Sequence, residues 1–183
     1  MLKRLCLSAL CIILLSSCLG DVENEFCSLR AFCRVTPVTG AAPLHEALNN
    51  PGLFCTLTAK GSLYTFTRQD GTSVPLDMGA MGQSYLPLQT INNLGLILGT
   101  PSVPDVRTTQ FYTVAFDIVC PNCYDNAITK QLYLQDETAV CNRCKRHYDL
   151  RNNGIVTEGD KGRKLFRYRM TYTPAQDVVV ISN

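Results

Sequence analysis

The chain has 183 residues, 46% of them apolar, with 17 basic and 15 acidic side chains; this fits one domain with a buried core rather than two full domains. Lys3 and Arg4 supply the whole excess of two positive charges, so the chain beyond residue 18 is balanced. Its total charge therefore implies no strongly charged partner.

In chain order the first element is "MLKRLCLSALCIILLSSC", in which Lys3 and Arg4 precede an apolar run from Leu5 to Leu15. This is the layout of a secretory signal. The run is too short for a spanning helix, which needs about 20 apolar residues. "LSSC" resembles the bacterial lipobox, so residues 1–18 are expected to be a signal peptide cut before Cys18, with Cys18 lipidated and holding the protein to a membrane. More than one acyl chain on that residue gives stable attachment. The alternative is an ordinary cleaved signal with Cys18 free. The acidic, polar residues 19–26 read as a flexible tether, and 27–183 as a single domain. The implied place is the cell envelope, on the outer membrane or the periplasmic face.

From Phe26 to about Asp105, scattered Pro and Gly with short apolar runs predict β-rich structure. "FCTLTA" and "SLYTFTR" alternate on either side of a Lys60-Gly61 turn, a meander closed by "QDG". "PLHEALNN", residues 43–50, is the one helix expected in this part, started by Pro43 and stopped by "NNPG". "GTSVPLDMGAMGQ" has neither phosphate-loop nor dinucleotide spacing and reads as loop. "FYTVAFDIV" is a strand delivering the chain to Cys120, and "KQLYLQDETAV" a strand and turn delivering Cys141. "HYDLRNNGIVTEG" predicts a hairpin turning at Asn153-Gly154. "KLFRYRMTYTP" and "DVVVIS" are expected to close the sheet. The expected class is all-β.

Cys120 and Cys123 form one C-x-x-C, and Cys141 and Cys144 a second, with 17 residues between the pairs. Two thiolates three residues apart on a tight turn can face one centre, and two such turns supply the four sulfurs of a tetrahedral metal site. The competing reading is two disulfides, which an oxidising compartment favours; C-x-x-C disulfides are strained, however, and usually catalytic. Metal is the preferred reading. "CPNC" alone is similar to the active site of thioredoxin-like oxidoreductases, where a helix N-terminus activates the first thiol. The following residues make a poor helix, and the second C-x-x-C is left unexplained.

"AFDIVCPNC", "CNRCKRHYDLRNNGIV", "LFRYRMTY" and "VVVISN" together resemble the Rieske domain, and "GLILG" at residues 95–99 adds a resemblance to Rieske-like lipoproteins of the Bacteroidetes type. The resemblance implies small antiparallel sheets with two metal-binding loops, at 120–123 and 141–144. Cys120 and Cys141 match that family's cysteine ligands; Cys144 stands where a histidine ligand would, and Asn122 occupies the other histidine position. Loss of both imidazoles removes the feature that raises the potential of a Rieske cluster. Four thiolates leave zinc, an all-cysteine 2Fe–2S cluster or a single rubredoxin-like iron. Zinc in a closed structural site is the first choice; with iron the protein would be an electron carrier needing a redox partner. Enzymatic activity is not the expected role.

His147, three residues after Cys144, reads as a surface residue or one supporting the ligands, and His45 has no catalytic neighbours in view. Cations crowd "RCKRHYDLR" and "KGRKLFRYR". Beside a cysteine cluster these would suggest nucleic acid in a cytosolic protein; in an exported one they read as a solvated basic face, with no nucleic acid partner. Among Cys27, Cys33 and Cys55 one disulfide is expected, with Cys27–Cys33 the nearest pair and Cys33–Cys55 equally allowed, leaving one thiol free.

Overall fold

The computed structural model describes residues 25–79 and 87–183. The signal segment, Cys18, residues 19–24 of the tether and the run 80–86 lie outside the described residues. Among the described residues no helix is long and apolar enough to cross a membrane.

Among the described residues twelve strands form two antiparallel sheets, which makes the protein all-β as expected. The larger sheet is a curled half-barrel built from β1 (Phe32–Val35), β2 (Leu53–Lys60), β3 (Leu63–Arg68), β4 (Ser73–Asp77), β5 (Leu96–Thr100), β6 (Val114–Asp117), β11 (Arg167–Thr173) and β12 (Val178–Ser182). Its order is β1-β12-β11-β6-β5-β2-β3-β4. The smaller sheet orders β10 (Ile155–Glu158), β9 (His147–Asp149), β8 (Thr138–Val140) and β7 (Tyr133–Gln135).

Period-two alternation divides the core between the two faces of the larger sheet. Leu57, Leu96, Leu98, Ala115, Val179 and Ile181 point to one side, where helix α1 (Ala42–Asn49) covers them with Leu44, Ala47 and Leu48. Phe54, Ile97, Val114 and Phe116 point to the other, where they meet Leu132, Ala139, Tyr148 and Leu150 of the small-sheet region, together with Cys120, Cys123 and Cys141. All five β5 residues and all four of β6 are therefore buried. A strand covered on both faces reads as a continuous apolar run, and "GLILG" and "TVAF" owe their composition to this position.

The helix expected at 43–50 forms one residue earlier, with Pro43 in its first turn. The β2–β3 meander and the two C-terminal strands form as expected, but β11 and β12 lie inside the sheet, and β1 takes the edge beyond them. "GTSVPLDMGAMGQ" is not all loop: Ser73–Asp77 pairs with β3, Pro75 standing opposite Thr65. The missing N–H of proline is tolerated because β4 is an edge strand. The strand expected over "FYTVAFDIV" is shorter, since residues 111–113 belong to the loop before β6. "KQLYLQDETAV" makes two strands, β7 and β8, joined through Asp136 at φ +51°. The expected β9–β10 turn carries positive φ at Asn153 and Gly154; a Cβ on Gly154 would meet Leu165 Cβ at 2.6 Å, so only glycine fits.

Asp117 ends β6 fully buried. Its carboxylate accepts the N–H of Ile91 at 3.0 Å, the N–H of Val119 at 2.8 Å and the hydroxyl of Tyr168 at 2.9 Å, tying the β6 exit to two other segments. Burial pushes its pKa up from 3.8 to about 6, against those hydrogen bonds. The folded state therefore binds more protons than the unfolded chain between the two values. The contribution is full below about pH 4 and is lost as pH rises through 6, on the order of 3 kcal/mol. Denaturant midpoints of wild type and Asp117→Asn measured across this interval should differ in slope, the variant lacking the fall; parallel curves would show that Asp117 does not titrate there.

Candidate metal centre

β6 runs through Ile118 and Val119 into Cys120, whose N–H bonds Lys130 O at 2.8 Å, while Leu132 N–H bonds Ile118 O at 2.8 Å. These bonds close the neck of the first loop. Pro121 begins the single helical turn α2 (Pro121–Tyr124), which places Cys120 and Cys123 on one side. Tyr124 N–H donates to Cys120 O, and the N–H groups of Asn126 and Ile128 to Cys123 O.

The second loop is the β8–β9 connection. Cys141 N–H bonds Arg146 O at 3.0 Å, and Lys145 N–H bonds Cys141 O at 2.9 Å. Lys145 is left-handed, with φ +59°, and that reversal turns Cys144 back toward Cys141.

The two loops bring the four predicted cysteines together, with all four sulfurs within 4.8 Å of one another. Cys120 Sγ lies 3.6 Å from Cys144 Sγ, and Cys123 Sγ 3.7 Å from Cys141 Sγ. A disulfide requires about 2.05 Å, so these are four thiols. Metal bonds of about 2.3 Å in a tetrahedron put sulfurs about 3.8 Å apart, and the donor set fits such an ion. Cys120, Cys123 and Cys141 are buried and Cys144 is half-buried.

The electrostatics of the four sulfurs are set by burial and by Arg146. Burial pushes Cys120 up to about 11, partly offset by the Tyr148 hydroxyl. Burial and then the neighbouring sulfurs Cys120 and Cys141 push Cys123 higher still. At Cys144 burial is outweighed by the N–H and guanidinium of Arg146 and by the Cys141 and Cys120 thiols, which bring it down to about 6. Thiols held up by desolvation and mutual repulsion become thiolates when a metal supplies the opposing charge.

Three supporting features were not legible in the sequence. Tyr148, fully buried on β9, has its hydroxyl 3.2 Å from Cys120 Sγ. Asn122 donates from Nδ2 to Tyr148 Oη at 2.9 Å and to Arg163 O at 2.8 Å, and accepts the Arg163 N–H at 2.8 Å. Arg146 reaches Asp160 O and Lys161 O at 2.8 and 3.3 Å. Asn122 and Arg146 thus fasten the segment before β11 over the cysteine loops. A Cβ on Gly162 would come 2.2 Å from Asn122 Oδ1, so this closure needs glycine. Asn122 within "CPNC" was the available signal; its partner 41 residues away was not.

His147 is not among the ligating group: its Nδ1 faces Glu158 Oε2 at 3.2 Å. His45 is exposed on α1. Cys27, Cys33 and Cys55 are free thiols in this structure, where one disulfide among them was expected. Cys33 and Cys55 sit on β1 and β2, with four strands between them in sheet order, and Cys27 precedes β1 beside Tyr168. Burial pushes Cys33 up to about 12 and Cys55 further, which makes both unreactive apolar filling. Comparisons with protein families, curated proteins and solved structures return no match for this chain.

Proposed function

We propose that the chain is a lipid-anchored envelope protein in which Cys120, Cys123, Cys141 and Cys144 hold one tetrahedral zinc ion as a structural tie between two loops of a Rieske-like scaffold. The observation that carries the metal reading is the sulfur spacing, 3.6 and 3.7 Å across the loops with every sulfur within 4.8 Å. An all-cysteine 2Fe–2S cluster divides its ligands between two irons and spreads them over a wider space than a single ion needs; four sulfurs all within 4.8 Å of one another suit a mononuclear ion. A bound zinc would neutralise the thiolates and add folding free energy. The scaffold reading draws on the two cysteine pairs carried by two loops, one set in a small antiparallel sheet. Anchoring rests on the "LSSC" segment ending at Cys18.

A single iron fits the same tetrahedron, and half-buried Cys144 would give electrons a short path to a docked partner. A thiol-disulfide oxidoreductase is less well supported, because burial pushes the Cys120 thiol up to about 11, away from the reactive thiolate. Protein purified anaerobically from its own host is expected to be colourless with about one zinc per chain. A visible thiolate-to-iron absorption with stoichiometric iron would replace zinc by iron and make the protein an electron carrier.

The hydroxyl at position 148 gives a second test. Tyr148→Phe removes the O–H···S contact to Cys120 while Asn122 keeps its bonds to Arg163. Loss of such a partner typically lowers metal affinity about 10- to 100-fold. Competition against a chromophoric chelator should show a loss of that order, and unchanged affinity would remove Tyr148 from the site.

A further inference from the structure

We propose that the β5–β6 loop, residues 101–113, is a membrane-docking element whose apolar tip enters the interface of a lipid bilayer beside the point where the N-terminal tether joins the domain. This rests on the reading of Cys18 as the lipidated residue.

β5 and β6 are adjacent antiparallel strands, with Gly99 opposite Val114, and a two-residue turn is enough to join such a pair. The chain instead makes a long excursion with an internal organisation of its own. Asp105 Oδ1 accepts the N–H groups of Arg107 at 2.8 Å and Thr108 at 2.9 Å; Asp105 N–H donates to Gln110 O at 2.9 Å, and Thr109 N–H to Asp105 O at 2.8 Å. The polar group is consumed inside the loop and the apolar side chains face outward. Val106 is 92% exposed, Phe111 52% and Val103 47%. Leu53, Leu63, Tyr133 and Ile155, the other exposed large apolar residues among those described, are spread singly over four strands. Ordered loops of this length are usually functional, and this one displays the side chains a soluble surface normally withholds.

Its position favours a bilayer over another occupant. A groove of about 580 Å³ beneath the loop is lined by Val103, Val106, Arg107, Tyr112 and Arg151, and also by Glu25, where the described chain begins. Arg167 pairs with Glu25, and the guanidinium groups of Arg167 and Arg169 lie 5.2 and 4.9 Å from the Phe26 ring, holding the tether's end to this face. Six residues lie between Cys18 and Glu25, and the seven chain steps from one to the other reach at most about 25 Å. Acyl chains on Cys18 therefore keep this face close to the lipid surface. Arg107 at the tip offers a cation to lipid phosphates, while Arg151 on the neighbouring hairpin is paired with Asp149 at 3.0 Å; Val103, Val106 and Phe111 enter the acyl boundary.

The chain contains no tryptophan, so one can be placed as the sole reporter. Val106→Trp changes an exposed position and should fold as wild type. Leu63→Trp is the control, at the opposite end of the β2–β3 hairpin from Leu53, the β2 residue paired with Thr100 at the loop's root. Full chains purified from the host are reconstituted into vesicles of phosphatidylethanolamine and phosphatidylglycerol, with and without brominated acyl chains, and mass spectrometry reads the acylation of Cys18. The expected result is a blue shift for Val106→Trp with loss of half or more of its emission in brominated vesicles, and neither effect for Leu63→Trp. No quenching of Val106→Trp on chains carrying the Cys18 lipid would overturn the docking face and leave the anchor standing. Quenching on chains without that lipid would uphold the docking face and remove the anchor; absence of both would remove both. A concentration-dependent dimer broken by Val106→Asp would assign the tip to a second copy of the chain and overturn the proposal.

Discussion

Cys141→Ser should lose stoichiometric metal and, with it, the order of the small sheet. Cys141 is fully buried, lies 3.7 Å from Cys123 Sγ, and carries the backbone bonds to Arg146 and Lys145 that shape the second loop. A serine oxygen is a weaker donor for zinc, and without the metal the remaining cysteines return to separate groups that no longer tie the two loops together. The apparent binding free energy of structural zinc in small peptides is about 10–16 kcal/mol, whereas a whole domain is stable by about 5–15 kcal/mol. The expected loss is therefore comparable with the total stability. β7 to β10 are short strands of three or four residues, so under the proposed zinc tie local order there would depend on the metal. Zinc content, the thermal midpoint and protease cutting within 141–165 provide the measurements. Chelation of wild type by a strong zinc ligand should reproduce the effect, while Cys27→Ser, outside the cluster, should keep its metal. A Cys141→Ser protein with wild-type melting and full metal would refute the structural role.

Phe116→Ala should cost about 3–5 kcal/mol. Phe116 is fully buried on β6 between Ile97 of β5 and Arg167 of β11, and it packs in the cluster that contains Cys120, Cys123 and Cys141. Truncation removes contacts from the floor of the cysteine loops as well as from the sheet. For a chain of this size each kcal/mol shifts the melting midpoint by about 2–4 °C, which gives a fall of about 6–20 °C by calorimetry. Leu63→Ala, at a residue 43% exposed, should shift it little. A Phe116→Ala midpoint within a degree of wild type would mean that the cavity collapses without loss, contrary to the packing described.

The cysteine quartet was legible because its geometry is local: C-x-x-C on a turn points two sulfurs one way whatever the rest of the chain does. Strands β2, β3, β11 and β12 were legible through alternation, and α1 through Pro43 and the Asn50-Pro51-Gly52 stop. β4 was missed because Pro75 reads as a breaker, and only the empty side of an edge strand makes it acceptable. The places of Cys33 and Cys55, free thiols buried in the core, were not legible because counting cysteines says nothing about which strands carry them.

By itself the sequence determined the all-β class, the four candidate ligands and most strand positions, since each depends on residue type at short spacing. The tertiary structure alone decided the sheet order, with β12 between β1 and β11, the burial of Asp117, the contact of Tyr148 with Asn122 and the closure by Asn122 and Arg146 of a third segment over the cysteine loops. Those features pair groups 14 to 51 residues apart, and such pairs are selected by packing and hydrogen-bond satisfaction across the whole fold, which no local pattern encodes.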